Sequence, residues 1–120
     1  MKTVILGATT NVDRYAWLAA QMLTEYKHEI VPVGIREGEV MGENILDLNV
    51  KPPVSDVHTV TLYLNPNNQI PWYDYIISLN PKRIVFNPGT ENEALQTMAE
   101  QNGIETVIGC TLVMLRSKTY

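Results

Sequence analysis

Thr3-Val4-Ile5-Leu6-Gly7-Ala8-Thr9-Thr10-Asn11 is the stretch that decides the fold. Its first four residues are β-branched or aliphatic, so both sides of the pleat are apolar, as in a strand buried on both faces. Gly7 ends the run and lets the backbone turn tightly. Asn11 then offers a helix N-cap and Asp13 a first-turn acid. Ala16, Leu18, Ala19, Ala20, Met22, Leu23 and Tyr26 supply the apolar content of a helix of about three to four turns. A buried strand, a glycine turn and an amphipathic helix are the opening of a parallel α/β sheet.

The same alternation continues outward. Glu29 to Val33 forms the second strand, with Pro32 expected at its end, because a mid-sheet proline removes a ladder donor. Gly34 to Asp56 is irregular, with a short extended piece at Asn44 to Leu48; connections of this length are usually functional or mobile. Val57 to Leu64 is the third strand. Asn68 to Leu79 is expected to be helical, with Pro71 in the first turn and Asn80-Pro81 as the stop. Arg83 to Phe86 is the fourth strand. Thr90 and Glu93 have capping-box spacing for a helix that runs to Asn102, with Gly103 at C′. Glu105 to Ile108 is the fifth strand, followed by an apolar piece, Leu112 to Leu115. This order predicts a Rossmann-like three-layer α/β/α sandwich with a five-stranded, mainly parallel sheet, one domain over residues 1–120.

Composition narrows the function. The chain has 120 residues, and 9 Lys plus Arg against 13 Asp plus Glu give a net charge of −4. An acidic chain without a basic run is a poor binder of nucleic acid or anionic membrane. A hydrophobic fraction of 45% excludes wholesale disorder, yet no run approaches the ~18 apolar residues of a membrane span. The first strand begins at once, so no signal peptide is expected. A single cysteine, Cys110, rules out an internal disulfide and fits a reducing cytosol, so a cytoplasmic location is expected. There is no C-x-x-C or H-x-x-x-H pattern, so no metal is expected.

In open parallel sheets, ligands bind outside the carboxyl ends of the strands, where the strand order reverses. After the first strand, Gly7-Ala8-Thr9-Thr10-Asn11 leads into a helix N-terminus able to receive a diphosphate, or is a plain strand-to-helix turn. The G-x-G-x-x-G fingerprint is broken, since Thr9 and Val12 stand where glycines are required. Arg14 is a cation in the first turn, either solvated or placed for phosphate. After the second strand, Val33-Gly34-Ile35-Arg36 puts a cation where an NAD-binding domain carries an acid, with Glu37 beside it. A cation there favours a phosphorylated ribose, as in NADP or coenzyme A. Asn87-Pro88-Gly89-Thr90 is a second anion-friendly loop or simply a well-made one, and Asn87 is its ligand candidate. Cys110 also lies at a strand tip, as a buried thiol or a reactive one. His28 and His58 fall at strand starts, the wrong end for the site. Trp72, Tyr73 and Tyr75 share one expected helix as packing residues or a subunit contact, which allows a homodimer.

Taken together these pieces resemble the small single-domain CoA-binding proteins, relatives of the CoA-binding domain of succinyl-CoA synthetase α-subunits. The resemblance is carried by Gly7-Ala8-Thr9 with Arg14, by Pro32-Val33-Gly34-Ile35-Arg36 followed by Gly42, by Phe86 to Glu93, and by Gly103-Ile104 through Cys110. It implies that the first two strand-end loops hold the phosphates and adenosine of coenzyme A. Arg36 then takes the place of the family's usual lysine, Tyr63 and Leu64 lie near the ribose or pantetheine, and Asn87 replaces a glutamine. The family has no defined catalytic set, and no nucleophilic triad falls at the strand ends here. The expectation is non-catalytic binding of coenzyme A or acyl-CoA. The alternatives are an NAD(P)-binding module, a small enzyme using Cys110, and an interaction subunit with a decayed ligand site.

Overall fold

The computed structural model describes residues 1–120. β1 (Lys2–Leu6), α1 (Tyr15–Glu25) and β2 (Glu29–Gly34) open the chain. A small hairpin of β3 (Glu39–Val40) and β4 (Glu43–Asn44) precedes the two-residue β5 (Leu46–Asp47). There follow β6 (Thr59–Leu62), α2 (Pro66–Gln69), α3 (Tyr73–Ser78) and β7 (Arg83–Phe86). The chain closes with α4 (Glu93–Gln101), β8 (Glu105–Ile108) and α5 (Thr111–Arg116). The main sheet has the order β5-β2-β1-β6-β7-β8, with every pair parallel. From β1 the chain first builds outward through β2 and β5, then returns to place β6 on the other side of β1. The strand order therefore reverses between β1 and β6, where such sheets bind ligands.

Residue parity assigns the two faces. Val4, Leu6, Val60, Leu62, Ile84 and Phe86 pack against Ile76 and Leu79 beside α3 and against Leu95 and Ala99 of α4. Ile5 and Ile30 face Ala16, Ala19, Ala20 and Leu23 of α1 and Leu112 and Leu115 of α5. The buried α1 residues recur at i, i+3, i+4 and i+7, one stripe of the helix. Phe86 is fully buried in the first cluster, and truncating such a side chain to alanine costs about 3–5 kcal/mol.

The sheet has six strands where five were expected. The extra strand comes from the extended piece near Asn44 to Leu48, where Leu46 and Asp47 pair with Val33 and Gly34. Both of its residues are exposed, so no apolar run announces it. Pro32 lies inside β2, opposite Ile5, rather than at its end. The carbonyl of Val33 faces β1, where it accepts from the amides of Gly7 and Ala8. The nitrogen of Pro32 therefore points the other way, toward β5, which pairs only from Val33 onward. The missing donor falls where no partner strand runs.

Three helix starts differ from expectation. Asn11 is not the cap of α1. Its Oδ1 accepts from the amide of Asp13 in a local turn, and Arg14 is the N-cap residue, without a side-chain bond. The Thr90–Glu93 capping box does not form. Thr90 Oγ1 donates to the carbonyl of Asn87, and Asn92 caps α4 by accepting from the amide of Leu95. The helix expected over Asn68 to Leu79 is broken into α2, a 3-10 turn at Ile70–Trp72 and α3. Pro71 has no N–H to donate and sits at the break. Gly103 does occupy the C′ position of α4 with φ +74, and the amide of Ile104 bonds back to the carbonyl of Ala99.

Tyr75 is buried with its hydroxyl donating to the carbonyl of Pro52, and Trp72 and Tyr73 are half-buried against the same core. These rings pack on the core of the α3 side. No helix is long and apolar enough to cross a membrane.

Candidate functional site

Three strand-end loops meet at the carboxyl edge of the sheet because glycine stands at each junction. Gly7 has φ +99, and a Cβ there would lie 3.0 Å from the carbonyl carbon of Tyr63 and 3.2 Å from Leu64 Cδ2. That packs the loop after β1 onto the loop after β6, at the point where the strand order reverses. A Cβ on Gly34 would lie 2.5 Å from the carbonyl oxygen of Ala8, so the end of β2 rests on the backbone of the first loop. Gly38, with φ +155, lies so close to Thr10 that any side chain would collide with the Thr10 methyl. The structure thus brings Gly7, Ala8, Val33, Gly34, Tyr63 and Leu64 together, and adds Thr10 and Gly38, which sequence reasoning did not single out.

The first loop also bonds to itself. Thr9 Oγ1 accepts from the amide of Asn11, so the Thr9 and Asn11 side chains order the loop leading to Arg14. Arg14, Ile35 and Arg36 are exposed, Ile35 at 64%. The chain's one ion pair joins Lys2 and Glu29, so neither Arg14 nor Arg36 has a carboxylate partner. Two unpaired guanidiniums therefore flank loops whose backbones are in contact. Gly42 plays a different part. It follows Met41 in the two-residue turn between β3 and β4, and the two have φ +79 and +50, the pair that a type I′ hairpin requires.

The Asn87 side chain is engaged within the fold. It is buried, its Nδ2 donates to Thr61 Oγ1 at 2.7 Å and to the carbonyl of Leu62 at 2.8 Å, and its Oδ1 accepts from the amide of Thr111 at 2.8 Å. The amide fastens the ends of β6 and β7 to the start of α5. Pro88 and Gly89 are exposed, but the Gly89 amide already donates to Glu91 Oε1 at 2.8 Å. A carboxylate of the same loop occupies this donor in the structure. Gln69, which the sequence did not flag, is fully buried. Its Nε2 donates to the carbonyls of Leu64 and Thr90 and its Oε1 accepts from Asn92 Nδ2, tying the β6 loop to the β7 loop.

Behind the loops lies a polar patch. Thr61 and Thr111 share a hydrogen bond at 2.8 Å in the interior. Burial, with the Cys110 thiol adding to it, pushes the Tyr63 phenol well above its ordinary range, against the opposing effect of the Thr111 and Thr61 hydroxyls. Tyr63 is therefore a neutral wall of the site. Cys110 is half-buried at the start of α5 and unpaired. Concavities of about 330 and 640 Å³ open elsewhere, one between Lys51 and Leu79, the other at the amino ends of β1 and β6. No group of three or more potential metal ligands forms.

The fold is of the Rossmann-like α/β type, and a family model matches it over nearly the whole chain. The family model described as a CoA binding domain matches residues 1–116, and the chain belongs to that family. A crystal structure of an uncharacterized protein is similar at 55% identity, with a TM-score of 0.96, over 99% of this chain and 97% of that one. The fold recurs in a Thermus thermophilus protein, cell-free ID.343, at 20% identity and TM-score 0.84, over 99% of this chain and 90% of that one. It recurs again in a hypothetical protein from Pyrococcus horikoshii OT3, at 21% identity and TM-score 0.81, over 98% of this chain and 82% of that one. No functionally curated protein matches the chain.

Proposed function

We propose that the protein binds coenzyme A or an acyl-CoA at the carboxyl ends of β1, β2 and β6, in a binding or sensing role without catalysis of its own. The observation that carries this reading is the contact of the first two loops, Gly34 against Ala8, in a member of the CoA-binding domain family. The two loops that meet there lead to Arg14 and Arg36, which are exposed and without an ion-pair partner. Arginine binds phosphate through two parallel N–H donors, and glycine backbones admit a nucleotide closely. Coenzyme A carries a diphosphate and a 3′-phosphate, enough anionic groups to engage both cations. Exposed Ile35 and half-buried Leu64 and Tyr63 offer apolar surface for adenine and pantetheine. The neutral Tyr63 phenol and the Asn87 amide committed to the fold favour holding over chemistry.

Native purification followed by mass spectrometry tests the reading. Coenzyme A or an acyl-CoA carried through supports it. A dinucleotide in its place overturns it.

A further inference from the structure

At the opposite, amino end of the sheet, the side of β1, β6 and β7 that faces α5 is polar. Thr3, Thr59 and Arg83 stand there in register across three strands. Arg83 is only 9% exposed. Its Nε donates to Thr59 Oγ1 at 2.8 Å, while its Nη2 is buried without an acceptor. No carboxylate lies within ion-pair distance of it. A guanidinium buried without a counterion is costly, because neither water nor an anion balances its charge.

Tyr120 covers this cation. After α5, Lys118 at φ +59 turns the chain back, and the amides of Lys118 and Thr119 close the turn on the carbonyls of Leu115 and Met114. The Tyr120 ring then lies 4.4 Å from the Arg83 guanidinium carbon, and its hydroxyl shares a 2.7 Å hydrogen bond with Thr3 Oγ1. His28 packs on the same ring at 5.1 Å, and its Nδ1 is the molecule's other buried side-chain atom without a partner. Two unsatisfied nitrogens thus flank one aromatic side chain.

We propose that Arg83 is the base of a second ligand site, a slot for a small oxyanion, a carboxylate or phosphate group, that Tyr120 closes. Withdrawal of the ring opens the free edge of the guanidinium, releases the Thr3 hydroxyl as a donor and uncovers His28 Nδ1. An oxyanion supplies the acceptors that these groups lack, and a charge-assisted pair to the guanidinium replaces the weaker attraction of the ring face. The Tyr120 ring and the anion compete for the same cation, so the tail sets the affinity.

The test uses the full chain with the Tyr120→Ala substitution, titrated with inorganic phosphate and, separately, with acetate at constant ionic strength, and followed by the chemical shifts of the His28 ring. Tyr120→Ala is expected to bind at least one of the two anions about tenfold or more tighter than the parent, and Arg83→Met in that background is expected to abolish the gain. Equal affinity of Tyr120→Ala and the parent, or a gain that survives Arg83→Met, overturns the proposal. If Tyr120→Ala does not fold, Tyr120→Val removes the ring from Arg83 while keeping apolar bulk and serves in its place. An anion response no stronger than the parent's in that variant likewise overturns the proposal.

Discussion

Gly34 rests on Ala8 so closely that a methyl group on its α-carbon would lie 2.5 Å from the Ala8 carbonyl oxygen. This contact holds the end of β2 against the loop after β1, so it governs both packing and the site. The φ of Gly34 is not in the left-handed region, and the constraint is steric. Gly34→Ala must push the two loops apart, at a cost of about 1–3 kcal/mol. Urea denaturation is expected to show an unfolding free energy lowered by that amount, and calorimetry a clear loss of CoA affinity. An unchanged midpoint would show that the loops separate freely.

Asn87 spends its amide on Thr61, Leu62 and Thr111. Asn87→Ala leaves the Leu62 carbonyl and the Thr111 amide short of partners in the interior. The expected loss of stability is about 2–4 kcal/mol, since each buried hydrogen bond contributes about 1 kcal/mol and stranded partners add more. Chemical denaturation measures it directly. A near-neutral variant with weakened CoA binding would instead make Asn87 a ligand contact.

His28 and His58 both have pKa values lowered from the ordinary histidine value. For His28 burial is the main cause, followed by the amino-terminal charge, Arg83 and His58. For His58 burial again leads, followed by Arg83, Lys82 and the amino terminus, with Glu105 opposing. The native state therefore holds fewer protons than the unfolded chain, and stability rises with pH in this window. The contribution is present in full above the unfolded value of about 6.5 and is lost as pH falls through the lowered native values. Urea midpoints measured from pH 7.5 down to 5.5 should fall, and the fall should be shallower in His28→Gln. A flat parent profile would contradict the burial of these rings.

Much of the fold is legible in continuous apolar runs. Thr3 to Leu6 and Arg83 to Phe86 lie within observed strands because only a strand between two helical layers buries both faces of so short a run, whereas Glu105 to Ile108 forms the edge strand β8, with its end residues exposed. Gly103 ends α4 as its position implies. Helix starts were less legible, since Asn11, Thr90 and Asn92 all have capping side chains and only tertiary packing selects among them. At the site, Gly7 and Gly34 were identifiable as strand-end glycines, but Thr10, Gly38 and Gln69 act through neighbours distant in sequence. The polar stripe had a signal. In Val57 to Leu64, Thr59, Thr61 and Tyr63 alternate with Val60 and Leu62, which marks one face of β6 as polar. Its partners Arg83, Thr111 and Tyr120 are too far along the chain for periodicity to join them.

Arg36 separates coenzyme A from its close relatives. It is exposed and has no internal partner, so Arg36→Ala should cost little stability. A charge-assisted bond to the 3′-phosphate of coenzyme A contributes roughly 1.5–3 kcal/mol. Arg36→Ala should then weaken coenzyme A by about ten- to a hundredfold and leave dephospho-CoA nearly unaffected. Equal loss for both ligands would move the 3′-phosphate elsewhere, with Arg14 the next cation to test.

Calorimetric titration of the purified protein with coenzyme A, NADP and NAD under one buffer tests the central claim most directly. The loop after β1 lacks two of the three dinucleotide glycines, and the end of β2 carries Arg36 in place of an acid. Coenzyme A is therefore expected to bind at least about tenfold tighter than either dinucleotide, a difference of ~1.4 kcal/mol or more. NADP binding as tightly as coenzyme A, or no binding of coenzyme A at all, would contradict the account.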